Sequence, residues 1–90
     1  MTTEAASHPA GDLVHFVVKH LVRAPDEISI RVEDKGAQDV VLLSVAAPDV
    51  GRVIGRQGRT VNALRTLLAA LAQTSHARGA TLEVLDPPED

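Results

Sequence analysis

Gly55 and Gly58 stand three residues apart inside a stretch that otherwise reads as helix, and they constrain the fold more than any other feature of the chain. Before them Val50, Val53 and Ile54 keep helical spacing; after them Val61, Leu64, Leu68, Leu71 and Ala72 keep it from Arg59 to about Ala77. Glycine forms helix poorly, so the pattern predicts two helices joined at a sharp Gly-Arg-Gln-Gly corner, not one long rod. Asp49 is the expected cap of the short helix, and Gly79 suits the position just past the long one.

The upstream half adds three elements. Leu13, Phe16, Val17, His20 and Leu21 fall at i, i+3, i+4, i+7 and i+8, which predicts a helix over Asp12–Arg23 with those five as its buried stripe. Asp12 is its expected N-cap, and Pro25 ends it at or before Ala24. Ile28–Glu33 alternates as a half-buried strand, Asp34-Lys35-Gly36-Ala37 supplies a turn, and Val40–Ala47 is a second strand, so the two should form an antiparallel hairpin. Val41, Leu43 and Val45 then face the core. Val40 and Leu42 fall on the other face, which suggests a central strand or a surface awaiting a partner.

Thr81–Asp86, with Leu82 and Val84 inward, makes a third strand. Helices connect it to the second, so if the two are neighbours they pair in parallel with a right-handed crossover. The expected architecture is α+β, in the order helix–strand–strand–helix–helix–strand, with the helices layered on a three-stranded mixed sheet. Residues 12–86 form the one domain, with tails at 1–11 and 87–90.

Composition excludes several function classes. The 90 residues include no Cys, hence no disulfide, thiol nucleophile or Cys-ligated zinc. No apolar run spans a membrane, and Met1–Asp12 lacks a signal-peptide pattern, so a cytoplasmic protein with no membrane role is expected. His15 and His20 diverge by about 140° around a helix, and Ser75 and His76 are sequence neighbours that point in different directions. No metal site, cofactor or enzymatic activity is therefore expected. Phe16 is the sole aromatic residue, which removes the modules that stack bases on aromatic platforms. Net charge is −3, yet Val50–Leu82 holds five arginines and no carboxylate, an anion-attracting stretch on an acidic body.

Two glycines three apart are weak information alone, since chance supplies roughly 0.4 such pairs in a chain of this length. A Walker loop would need a glycine at position 53 and Lys before Ser or Thr after Gly58; the chain has Val53 and Arg59-Thr60. The dinucleotide fingerprint needs that same glycine and a preceding strand. What remains is a Gly-x-x-Gly corner flanked by Arg52, Arg56 and Arg59. It opens a helix N-terminus and allows a sugar–phosphate chain to approach closely.

Pro25-Asp26-Glu27-Ile28, the block from Ala47 to Thr60 and Ala63-Leu64-Arg65 together resemble a KH domain of the bacterial topology, and most closely the small single-KH RNA-binding proteins of the KhpA family. The resemblance spans Leu13–Asp86 and implies a type II KH fold, αββααβ, with three helices on one face of the sheet. It implies that Gly55, Arg56, Gln57 and Gly58 clamp the backbone of about four unpaired nucleotides of single-stranded RNA. Arg52 and Arg59 would flank them, and Val50, Val53, Ile54, Val61 and part of the second strand would form an aliphatic groove for the bases. Arg56 keeps the charge of a frequent Lys, whereas Asn62 stands where relatives are often basic.

The resemblance further implies a homodimer, or a heterodimer with a larger KH-containing partner (KhpB, or Jag), and a role as RNA chaperone or post-transcriptional regulator. With three or four phosphate contacts, affinity should fall with salt at a slope of roughly −2 to −3. Two rival readings are a KH-fold protein-interaction module and a duplex-DNA helix–turn–helix reading bases through Asn62, Arg65 and Thr66.

Overall fold

A computed structural model of the chain describes residues 8–75 and 79–85. Its elements are helix α1 (Pro9–Val18), a short 3₁₀ turn at Pro25–Glu27, strands β1 (Ser29–Asp34) and β2 (Asp39–Ser44), and helices α2 (Val50–Ile54) and α3 (Arg59–Ser75). Strand β3 (Ala80–Val84) completes the order. Further 3₁₀ turns at Ala47–Asp49 and Arg56–Gly58 precede α2 and α3. Ala77 and Asp86, the expected ends of the last helix and strand, lie outside the described residues.

β2 is the central strand, in the order β1-β2-β3. It pairs antiparallel with β1, setting Val32 beside Val41 and Ile30 beside Leu43. It pairs parallel with β3, setting Val41 beside Leu82 and Leu43 beside Val84. These residues share the face on which the helices pack, and Val41, Leu43, Val45 and Leu82 join Val53, Val61, Leu64 and Leu68 in one core. The fold is α+β, three helices on a three-stranded mixed sheet, as a type II KH domain requires. On the outer face Leu42 stands between Arg31 and Glu83 in register and is only 8% exposed, which a central position explains without a partner.

α1 departs from the expected helix in extent and in face. It starts at Pro9, so Pro9, Ala10 and Gly11 form its first turn instead of belonging to a tail. Asp12 lies inside that turn. The cap is His8, whose Nδ1 accepts from the Gly11 N–H at 3.4 Å while Nε2 lies 3.3 Å from Asp39 Oδ2. The buried side is Ala10, Gly11, Val14 and Val18. Leu13 and Val17 flank it half-buried, His20 is exposed, and Phe16 is 59% exposed. Lys19 Nζ covers the Phe16 ring at 5.2 Å, and His20 meets its edge at 5.1 Å.

The segment Leu13–Val18 is apolar on most sides, so spacing alone did not fix which side meets the sheet. The helix also ends five residues early. His20 and Leu21 donate three residues back, to Val17 and Val18, and the N–H groups of Arg23 and Ala24 go to a carboxylate from elsewhere in the fold.

Candidate nucleic-acid interface

The corner between α2 and α3 is built on positive backbone φ at three of its four residues, Gly55, Gln57 and Gly58. Gly55 has φ 80° and ψ 167°, a region open essentially to glycine alone. A Cβ there would press on the Thr60 hydroxyl and lie 2.8 Å from the Thr60 backbone nitrogen. Gln57 is left-handed at φ 57° and ψ 26°, the one described non-glycine residue with positive φ. Gly58 has φ 74°, but a Cβ there would meet only Asn62 Nδ2, at 3.7 Å. Gly55 therefore solves a steric and a torsional problem, Gly58 a torsional one only.

The turn is closed by Gly55 N–H to Gly51 O at 2.9 Å, Gly58 N–H to Gly55 O at 3.1 Å and Arg59 N–H to Arg56 O. Among the described residues, the N–H groups of Arg56 and Gln57 donate to no backbone carbonyl. The side chains of Arg56 and Arg59 are exposed, and neither forms an ion pair with a described residue. Two free amides and two free guanidinium groups at one corner can receive an anionic chain.

Arg52 is not free in this way. Its Nη1 donates to Pro48 O at 3.2 Å and to Asp49 Oδ1 at 3.3 Å. Asp49 occupies the cap position of α2 but makes no capping bond. Instead its carboxylate, 2% exposed, accepts the N–H groups of Arg23 and Ala24, each at 3.1 Å, and pins the chain after α1 to the start of α2.

The Arg23 N–H bond does most to hold the Asp49 carboxyl below its ordinary value of 3.8. Burial pushes the other way, and the Ala24 bond and the charges of Arg52 and Arg23 reinforce the lowering. Unfolded chain therefore takes up this proton first. The stability contributed by Asp49 is complete at neutral pH and is withdrawn as pH falls from about 4 through the lower folded value. Asp49→Asn, which turns an amide toward one of the two donors, should destabilise the protein at pH 7. It should also flatten the acid limb of a denaturation-against-pH curve; an unchanged acid limb would remove Asp49 from that role.

The aliphatic residues divide in two. Val50 and Ile54 are half-buried beside the corner, whereas Val53 is fully buried and Val61 nearly so, both within the core. The latter two support the corner from beneath and offer no open groove surface. On α3, Arg65 Nε donates to Leu82 O at 3.1 Å and its Nη1 to Asn62 Oδ1 at 3.0 Å, while the Thr66 hydroxyl donates to Asn62 O. All three side chains required by a duplex-reading helix are thus engaged within the domain. Thr60, which the sequence placed at the end of the Ala47–Thr60 block without a role of its own, lies against Gly55; its position after Gly-Arg was the signal available.

Among the described residues no three His, Asp or Glu side chains gather as a metal site, and no helix is long and apolar enough to cross a membrane. His76 lies outside the described residues.

The family model for the KH domain of KhpA and KhpB matches residues 11–84. "RNA-binding protein KhpA" of Chlamydia pneumoniae is 38% identical over 76 residues, covering 83% of this chain and 95% of that protein. The protein of the same name from Borreliella burgdorferi is 41% identical over 75 residues, covering 83% and 90%. That from Clostridium acetobutylicum is 42% identical over 67 residues, covering 73% and 88%. No solved structure matches the chain.

Proposed function

The chain belongs to the KhpA/KhpB family of KH domains, and from that membership we propose that it binds single-stranded RNA, with the Gly55–Gly58 corner as the clamp on the sugar–phosphate backbone. The observation that carries this reading is that, among the described residues, unbonded N–H groups at Arg56 and Gln57 stand with the unpaired side chains of Arg56 and Arg59. Bases would lie against Val50 and Ile54. A clamp that holds phosphates and offers few polar groups to base edges suits a sequence-tolerant RNA chaperone or post-transcriptional regulator.

Salt dependence tests the clamp. Arg52 is committed to Asp49, so two arginines, not three or four, are free to displace counterions. At about −0.7 per phosphate on a single strand, log affinity against log salt should have a slope of about −1.4 per domain. Fluorescence anisotropy of a labelled single-stranded RNA across a potassium chloride series measures it. A slope of about −2.1 would bring Arg52 back into the interface as a third contact. No binding at low salt would move the reading to a protein-interaction module.

Pairing with a second copy or a KhpB-like partner is part of the same proposal, through the outer side of α3. Ala63, Leu67 and Ala70 lie there at helical spacing, uncharged and exposed, with Leu67 at 46%. The rival surface, the outer sheet face, already shields Leu42. Sedimentation should show the wild type as a dimer and Leu67→Glu as a monomer; a wild type that stays monomeric at high concentration would exclude self-pairing.

A further inference from the structure

We propose that the Thr60 hydroxyl is a phosphate-binding group inside the clamp, donating a hydrogen bond to a backbone oxygen of the RNA held there; the proposal rests on the clamp reading above. Thr60 lies in the first turn of α3, half-buried, with its hydroxyl and Cβ against the space where Gly55 lacks a side chain. The other threonines of α3 spend their hydroxyls within the helix. Thr66 donates to Asn62 O at 3.1 Å, and Thr74 donates to Ala70 O at 3.1 Å. The Thr60 hydroxyl makes no hydrogen bond with any described residue. Its oxygen is also absent from the buried unpaired atoms, of which there are none among the described residues, so it meets solvent.

The missing Cβ of Gly55 makes room for this hydroxyl, which packs against the glycine backbone. The next two residues present the unbonded N–H groups of Arg56 and Gln57, which an incoming phosphate would use. The hydroxyl supplies a neutral donor to the same anion. It releases no counterion, and that separates it experimentally from the arginines.

The experiment compares wild type, Thr60→Val, Thr60→Ala, Thr60→Ser and Arg56→Gln by anisotropy with a labelled single-stranded RNA over a salt series, each variant checked by circular dichroism. Valine keeps the branched shape against Gly55 and loses the hydroxyl; alanine loses it without adding bulk, which covers the case of a misfolded valine variant. Loss of one neutral hydrogen bond should weaken binding about three- to tenfold at every salt concentration. The slope should stay at the wild-type value, and serine should bind as wild type. Arg56→Gln should instead make the slope shallower by about 0.7.

Wild-type affinity in Thr60→Ala overturns the proposal. So does a serine variant as weak as alanine, which would assign the effect to the methyl group, and so does a changed slope, which would assign it to displaced arginines. Failure of the wild type itself to bind would overturn the clamp reading, a separate result.

Discussion

Replacing Arg56 and Gln57 together by aspartate is expected to remove single-stranded RNA binding while leaving the domain folded. The double change alters the corner by three charge units, from one positive to two negative. At contact range in water each unit is worth about 1 kcal/mol against a phosphate, which together is about a hundredfold in affinity. The fold should tolerate it. Both side chains are exposed, neither makes a side-chain bond to a described residue, and aspartate accepts the left-handed conformation found at Gln57 better than most residues. Anisotropy at low salt, with circular dichroism and a thermal melt on the same samples, checks both halves. A folded double variant that binds like wild type would remove the corner from the interface.

Gly55→Ala should be the most damaging single substitution in the corner. Its φ and ψ lie where an alanine is strained by about 1–3 kcal/mol, and the added Cβ meets the Thr60 backbone, which cannot rotate away. The total expected cost is about 3 kcal/mol or more, a large part of the stability of a domain this small. Gly58→Ala pays only for its positive φ, about 1–2 kcal/mol, because the nearest atom to a new Cβ is the mobile amide of Asn62. Chemical denaturation of the two variants side by side measures the difference. Equal losses would mean that the contact with Thr60 is not what fixes Gly55.

The elements whose residues alternate or repeat cleanly were legible in the sequence. The expected strands Ile28–Glu33 and Val40–Ala47 became the hairpin with the expected inward set, although the second ends at Ser44 and Ala47 starts a 3₁₀ turn. Val61, Leu64 and Leu68 became the buried line of α3, with the expected Leu71 and Ala72 only half-buried. α1 was not legible to that degree. Its inner line runs through Ala10, Val14 and Val18, and Leu13, Phe16 and Val17 offered an equally apolar line a short rotation away. Sheet contact chose between them.

The corner itself was visible, but the bonding around it was not. Asp49 looked local, a cap for the helix it precedes, whereas its carboxylate bonds to Arg23 and Ala24 across the fold. That long-range use also decides the state of Arg52, so no inspection of the arginine spacing could separate Arg52 from Arg56 and Arg59. Val53 illustrates the same limit: helical spacing groups it with Val50 and Ile54, but only packing against the sheet decides which of the three is sealed.

The parallel pairing of β2 with β3 has a consequence for the order of assembly. Val41 and Leu82 are neighbours in the sheet, and the whole of α2, the glycine corner and α3 lies on the chain between them. The β1–β2 hairpin closes over a short turn, whereas this second pairing must close a long excursion, which makes it the slower event. Leu64 and Leu68, which fix α3 in place, share the core with Leu82, so the corner gains its final position only when that circuit closes. On a ribosome, Gly55 to Gly58 emerge well before the strand that anchors them. A nascent chain would carry the residues of the corner before it carries the corner's geometry.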